Sequence, residues 1–217
     1  MTTTPVRTPP APGRPRRIGL DRVREIVGTP DPVMRQKVLD RLDDHCRLFL
    51  AHSPFCVIAS ADLTGATDSS PRGDHPGFVR VLDDRTLLIP DRPGNQLADT
   101  FTNITENPGV GLLFLVPGYA ETLRVNGRAY PTDDPALLPM LESRGRPAKL
   151  ATVVEVEQAY LHCAKAVIRS GLWDDEPRAL ADLLPSGGTI AAAHFGIAGL
   201  TAALLDDDLA DDYRRNL

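Results

Sequence analysis

The motifs of several large enzyme classes are missing from this sequence. It has no GxGxxG after a strand, no GxxxxGK[ST] loop, no HExxH and no GxSxG. Dinucleotide-fold, P-loop, zincin and hydrolase readings therefore lack the residues on which their chemistry rests. Cysteine is scarce: Cys46, Cys56 and Cys163 make an odd number with no CxxC pair. That pattern suggests neither a disulfide framework nor a zinc site and fits a reducing cytoplasm. An excess of positive charge is absent too, with 24 basic against 29 acidic residues and a formal charge of −5. Nucleic acid is thus excluded as a bulk electrostatic partner, and any basic site must be local. The most apolar late run, 189–205, falls short of the ~20 residues that cross a bilayer. Residues 1–17 have no apolar segment of signal-peptide type and read as a disordered Pro-, Thr- and Arg-rich leader, with Arg14, Arg16 and Arg17 solvated.

What is present is a change of grammar along the chain. Leu20–Val27 reads as a short helix. Residues 32–51 read as a longer one, with Val38, Leu42, Cys46 and Leu50 at helical spacing and Asp31 capping ahead of Pro32. From 55 to 131, short apolar runs alternate with Gly, Pro, Asp and Asn, the pattern of an antiparallel barrel or sandwich. A helix over 96–105 interrupts it. Residues 135–143 read as helical and 150–156 as a further strand, while the tail after Pro177 is helical with breaks at Pro185 and Gly187-Gly188. The expected domain organisation is a leader (1–17), N-terminal helices (18–52), a β domain (53–173) and a C-terminal helical tail (174–217).

Two arginine-bearing turns carry the chemical signal: Ser69-Ser70-Pro71-Arg72-Gly73-Asp74 and Pro90-Asp91-Arg92-Pro93-Gly94-Asn95-Gln96. A guanidinium fork beside a sharply turning backbone suits a phosphate. The second turn runs into a helix start, whose N–H groups and dipole favour the same ligand. The competing reading pairs each arginine with Asp74 or Asp91 as a surface bridge worth ~0–1 kcal/mol. Residues 158–173 admit two readings. As a helix they place Gln158, His162, Lys165 and Arg169 on one basic stripe, and as a strand they group Tyr160 with His162 and turn Lys165 away. Trp173, the single tryptophan, is either a flavin-edge residue or a core anchor. Asp74, His75 and Glu121 are candidates for proton transfer, or plain turn residues.

In order along the chain, the strand at 55–60, the Ser-Pro-Arg-Gly-Asp segment, the strand at 86–90, the Pro-Gly-Asn-Gln helix start, Glu106-Asn107-Pro108 and the strands at 110–114 and 121–128 resemble the pyridoxamine 5'-phosphate oxidase-like, FMN-binding split-barrel family. The resemblance implies a mainly β, α+β fold with flanking helices, built on a six-stranded antiparallel split barrel. It implies FMN as cofactor and an oxidoreductase that moves a hydride through the flavin. It also implies a cytoplasmic homodimer with FMN at the subunit interface, acting on a small molecule, with no nucleic-acid or membrane partner. Carried over by position, Ser70, Pro71 and Arg72 hold the flavin edge and phosphate, and Ile89 and Pro90 lie along the flavin. Arg92, Asn95 and Gln96 close on the phosphate, and Thr122 reaches FMN from the partner. Lys165, Arg169 and Trp173 complete the candidate set, and no catalytic residue or metal is assigned. The alternatives are a non-catalytic flavin-binding protein, or a split barrel using deazaflavin F420 or haem, the last with His75, His162 or His194 as axial ligand. The basic pair and C-terminal arginine–histidine signature of the pyridoxamine phosphate oxidases are absent, which argues against pyridoxamine phosphate as substrate.

Overall fold

The computed structural model describes residues 15–174 and 181–216. Most of the expected leader, and Pro177, lie outside those residues. The chain divides into two compact units, 1–36 and 37–217. In the first, helix α1 (Leu20–Val27) forms as expected, and Asp31 Oδ1 accepts the Val33 N–H at 2.9 Å to open the four-residue α2 (Val33–Gln36).

The single helix expected over 32–51 is instead two. Leu39 and Ala159 exchange backbone hydrogen bonds of 3.0 and 2.9 Å, which pulls the chain into an extended bridge. Helix α3 starts afresh at Asp44–His52, capped by the Asp43 carboxylate on the Cys46 N–H at 2.8 Å. Leu42, Cys46 and Leu50 still enter the core, so the apolar spacing was informative although the helix is shorter.

The second unit is built on one antiparallel sheet of strands β1 (Phe55–Ala61), β2 (Thr67–Gly73), β3 (Arg80–Val81), β4 (Thr86–Pro90), β5 (Gly109–Leu115), β6 (Thr122–Thr132) and β7 (Ala151–His162), ordered β2-β1-β5-β6-β7-β4-β3. The sheet has seven strands, not the expected six. β3 is only two residues long, and the segment expected as the first arginine turn is β2. Its sequence, Thr-Asp-Ser-Ser-Pro-Arg-Gly, has no apolar alternation, but it lies at the sheet edge, where Pro71 costs little in ladder bonds.

Alternation on β1 and β5 sends Cys56, Ile58, Leu112 and Phe114 inward to meet Leu123, Val125 and Ile104. β4 is buried on both sides, Leu87 and Ile89 in this core and Leu88 in a smaller one with Leu141, Ala148 and Val153. Fully burying such side chains contributes roughly 1.5–3 kcal/mol each. Helix α4 (Asp99–Glu106) packs across β1, β2 and β6 through Thr100 and Ile104.

The helix expected over 96–105 begins three residues later because Gln96 and Ala98 adopt left-handed backbone (φ 62° and 60°). The expected helix over 135–143 shrinks to a 3-10 turn at Leu138–Leu141. Neither reading of 158–173 holds throughout: Gln158 and His162 end strand β7, while Lys165 starts helix α5 (Lys165–Ser170). The tail holds a 3-10 turn (Ala181–Leu183) and helices α6 (Gly187–Phe195) and α7 (Ala202–Asn216). A β-carbon on Gly188 would lie 2.4 Å from the Ala202 carbonyl oxygen, so only glycine permits this helix crossing. No helix among the described residues is long and apolar enough to cross a membrane.

Candidate functional site

β1–β2 register sets Arg72, Ser70 and Asp68 opposite Cys56, Ile58 and Ser60, on the face that looks toward α4. Arg72 donates through Nη2 to Thr100 Oγ1 at 3.2 Å and through Nη1 to the Pro71 carbonyl at 2.9 Å. Thr100 is the second residue of α4, so this contact brings the guanidinium to the helix's N-terminal turn. That turn is left without a side-chain cap, because Ala98 stands at the capping position. Asp68 Oδ2 accepts from Thr100 at 3.0 Å and from Ser70 at 2.8 Å, fixing both hydroxyls. Arg72 takes part in no ion pair among the described residues. A half-buried arginine and the uncapped start of a helix meeting in one place are groups whose chemistry suits an anion.

Arg92 is held differently. Its Nε donates to Asp74 Oδ2 at 2.7 Å and its Nη2 to the Leu141 carbonyl at 2.8 Å. Asp74 Oδ1 in turn accepts the His75 N–H at 2.8 Å and the Ser143 hydroxyl at 2.9 Å. Burial pushes the Asp74 carboxyl up, but these three donors outweigh it and hold the group below its ordinary value. The arginine–aspartate pairing weighed from sequence is therefore present, as a mostly buried pair rather than a surface bridge: the Asp74 side chain is 13% exposed.

Between the two arginines sits Asp91, whose carboxyl is raised chiefly by burial against the opposing pull of Arg72 and Arg92. β7 pairs β4 along its whole length, whereas β3 pairs only Leu87 and Leu88, so Ile89 and Pro90 have no strand partner on that side although both are buried. The Ile89 side chain itself is core, so any ligand contact there is through backbone. Asn95 and Gln96 lie exposed on the loop beside the helix start, where Asn95 Oδ1 accepts the Leu97 N–H at 3.1 Å.

Beside Arg92 is a cavity of about 160 Å³ bounded by Asp74, His75, Arg80, Ser143 and Arg144. A second, larger groove of about 680 Å³ lies on the opposite face of the sheet, walled by Val57, Leu113 and Leu115 and by Ala166 and Val167 of α5. Thr122, Arg124 and His162 give it a polar end, and Arg124 rests 5.4 Å from the Tyr160 ring centre.

Of the residues singled out from sequence, Ser70 and Arg72 gather with Asp68 at Thr100, Arg92 pairs with Asp74 beside the smaller cavity, Pro90 is buried at the end of β4, and Asn95 and Gln96 lie exposed before α4. Pro71 pairs with Val57 and shares the outer face with Thr122. Lys165 and Arg169 are exposed on α5 and line neither cavity. Trp173 donates its indole N–H to the Tyr119 carbonyl at 2.9 Å, the bond of an anchoring residue. Sequence reasoning passed over Thr100, Ser143 and Arg124. Contacts across 28 and 69 positions bring the first two to the site, and no local pattern signals them.

Residues 42–163 match the family described as pyridoxamine 5'-phosphate oxidase. The chain belongs to that family. The matched span runs from Leu42 in the core to Cys163 beside α5 and contains both arginine clusters. No curated protein matches the sequence. Among solved structures it is similar to an FMN-binding protein from Syntrophomonas wolfei (14% identity, 66% of this chain and 97% of that one, TM-score 0.46). It is also similar to an F420 reductase (19%, 52% and 93%, TM-score 0.38) and to HutZ, the haem storage protein from Vibrio cholerae (14%, 56% and 94%, TM-score 0.41).

Proposed function

We propose that this family member is an FMN-dependent oxidoreductase acting on a small anionic organic molecule. The observation that carries the reading is Arg72, half-buried, without an ion-pair partner among the described residues, and tied by Thr100 to the uncapped start of α4. These groups fit a phosphate: guanidinium N–H donors, backbone amides and the positive end of a helix converge. Bound FMN would supply hydride transfer at N5, which explains why no triad or paired carboxylates are needed.

The chain's own residues bind and orient. Asp68 holds Thr100 and Ser70 toward Arg72, and Asp74 holds Arg92. The cavity of about 160 Å³ beside Arg92 is offered to the anionic group of a substrate, since Arg80 and Arg144 line it with His75 against the single charge of Glu142, Asp74 being paired with Arg92. A second copy of the chain is placed on the outer sheet face, where Phe55, Leu113 and Leu172 stand exposed and Thr122 sits in the wall of the larger groove. That placement puts Thr122 at a subunit boundary, and the cytoplasm remains the compartment this chemistry fits.

Titrating the purified protein with FMN and following flavin fluorescence tests the reading. Arg72→Ala is expected to weaken binding at least tenfold, since a hydrogen bond to a charged group is worth about 1.5–3 kcal/mol. Equal affinity in a folded Arg72→Ala protein would overturn the phosphate assignment. The same titration with F420 separates the deazaflavin reading, for which F420 would bind more tightly than FMN.

A further inference from the structure

Asp74 joins three segments that are far apart in sequence. It follows β2, it receives Arg92 from the loop after β4, and it receives Ser143 from the loop after the 3-10 turn. Both of its oxygens are used, Oδ1 by the His75 N–H and Ser143 hydroxyl and Oδ2 by Arg92 Nε. Arg92 is then pinned along its Nε–Nη2 edge, by Asp74 on one nitrogen and the Leu141 carbonyl on the other. Of its five N–H donors, those on Nη1 and one on Nη2 remain for a ligand. The long side chain is thereby held in one geometry before any anion arrives, and the loop bearing Ser143 and Arg144 is held against the same cavity.

We propose that Asp74 is the positioning residue of this site: it aims Arg92 at the bound anion and ties that contact to the segment bearing Ser143. The proposal rests on the FMN reading above, with the free Nη donors of Arg92 set on the FMN phosphate alongside Arg72, and adds a residue that works through Arg92 rather than on the ligand. Charge alone argues for the opposite, because a carboxylate beside Arg92 opposes an anion. Orientation wins here because Asp74 meets Arg92 at the edge turned away from the free donors and already accepts three hydrogen bonds of its own.

Asp74→Asn is the discriminating variant. Asparagine keeps the volume and an oxygen for His75 and Ser143, but puts an amide nitrogen where Arg92 Nε needs an acceptor. FMN affinity is measured by fluorescence for the wild type, Asp74→Asn, Arg92→Ala and the double variant, with thermal unfolding to establish that each is folded. The expected result is at least tenfold weaker binding for each single variant and no further loss in the double, the non-additivity of two residues acting as one unit. Additive losses, or an Asp74→Asn protein that binds FMN as tightly as the wild type or more tightly, would overturn the proposal. If the wild type bound no FMN, the cofactor reading would fall, and inorganic phosphate would decide the positioning role. Shifts of the His75 and Ser143 amide resonances in the wild type that disappear in Asp74→Asn support it. An equal response in both proteins, or none in either, overturns it.

Discussion

At Gly127 a β-carbon would lie 2.0 Å from the Glu155 carbonyl oxygen, at the point where the β6–β7 register slips and Glu157 is left over. The bulge lets β7 run on through Gln158 and His162, which defeated a helical reading built on the spacing of polar side chains. The three cysteines show how burial decides reactivity. Burial pushes the Cys46 thiol up to about 11 and Cys56 up to about 12, while Cys163 is exposed beside the larger groove. A thiol reagent at pH 8 is expected to label no cysteine other than Cys163 in the native chain, and all three after denaturation. Rapid labelling of Cys46 or Cys56 in the native protein would contradict the packing described. Arg72 and Arg92 were legible as cations in turns, but their opposite treatment was not. Asp74 lies two residues from Arg72 in sequence yet pairs with Arg92, eighteen positions away, because the strand edge turns it toward the loop after β4.

The elements that sequence located best are those with strict alternation or a continuous apolar run. β1, β4 and β5 stand within a residue of where their patterns place them, β4 because burial on both faces leaves no polar position to misread. Pattern reading failed on elements held by tertiary pairing: the polar edge strand β2, the Leu39–Ala159 bridge that divides the expected long helix, and the delayed start of α4. That delay matters to function, since the left-handed residues Gln96 and Ala98 stand the loop off the helix and leave its first amides open. A non-glycine residue in this conformation costs roughly 1–2 kcal/mol. Ala98→Gly is therefore expected to raise stability by about 1 kcal/mol in urea denaturation while loosening the loop and weakening FMN binding. A destabilised Ala98→Gly protein would show that the loop conformation is not a source of strain.

For the molecule as a whole, Arg72, Asp68 and Thr100 collect where β2 meets the start of α4, and the apolar groove occupies the opposite sheet face. That division suits a protein that holds a cofactor phosphate at one place and a second copy at another. Sedimentation at micromolar concentration is expected to show a dimer, and Leu113→Glu, at the exposed centre of β5, is expected to shift it to monomer; a wild-type protein that is monomeric at all concentrations would remove the shared site. The most direct measurement is the visible spectrum of freshly purified protein, followed by denaturation and chromatography of what is released. Flavin absorbance with FMN recovered at about one per chain is the expected result. A colourless protein that takes up no added FMN would contradict the central claim.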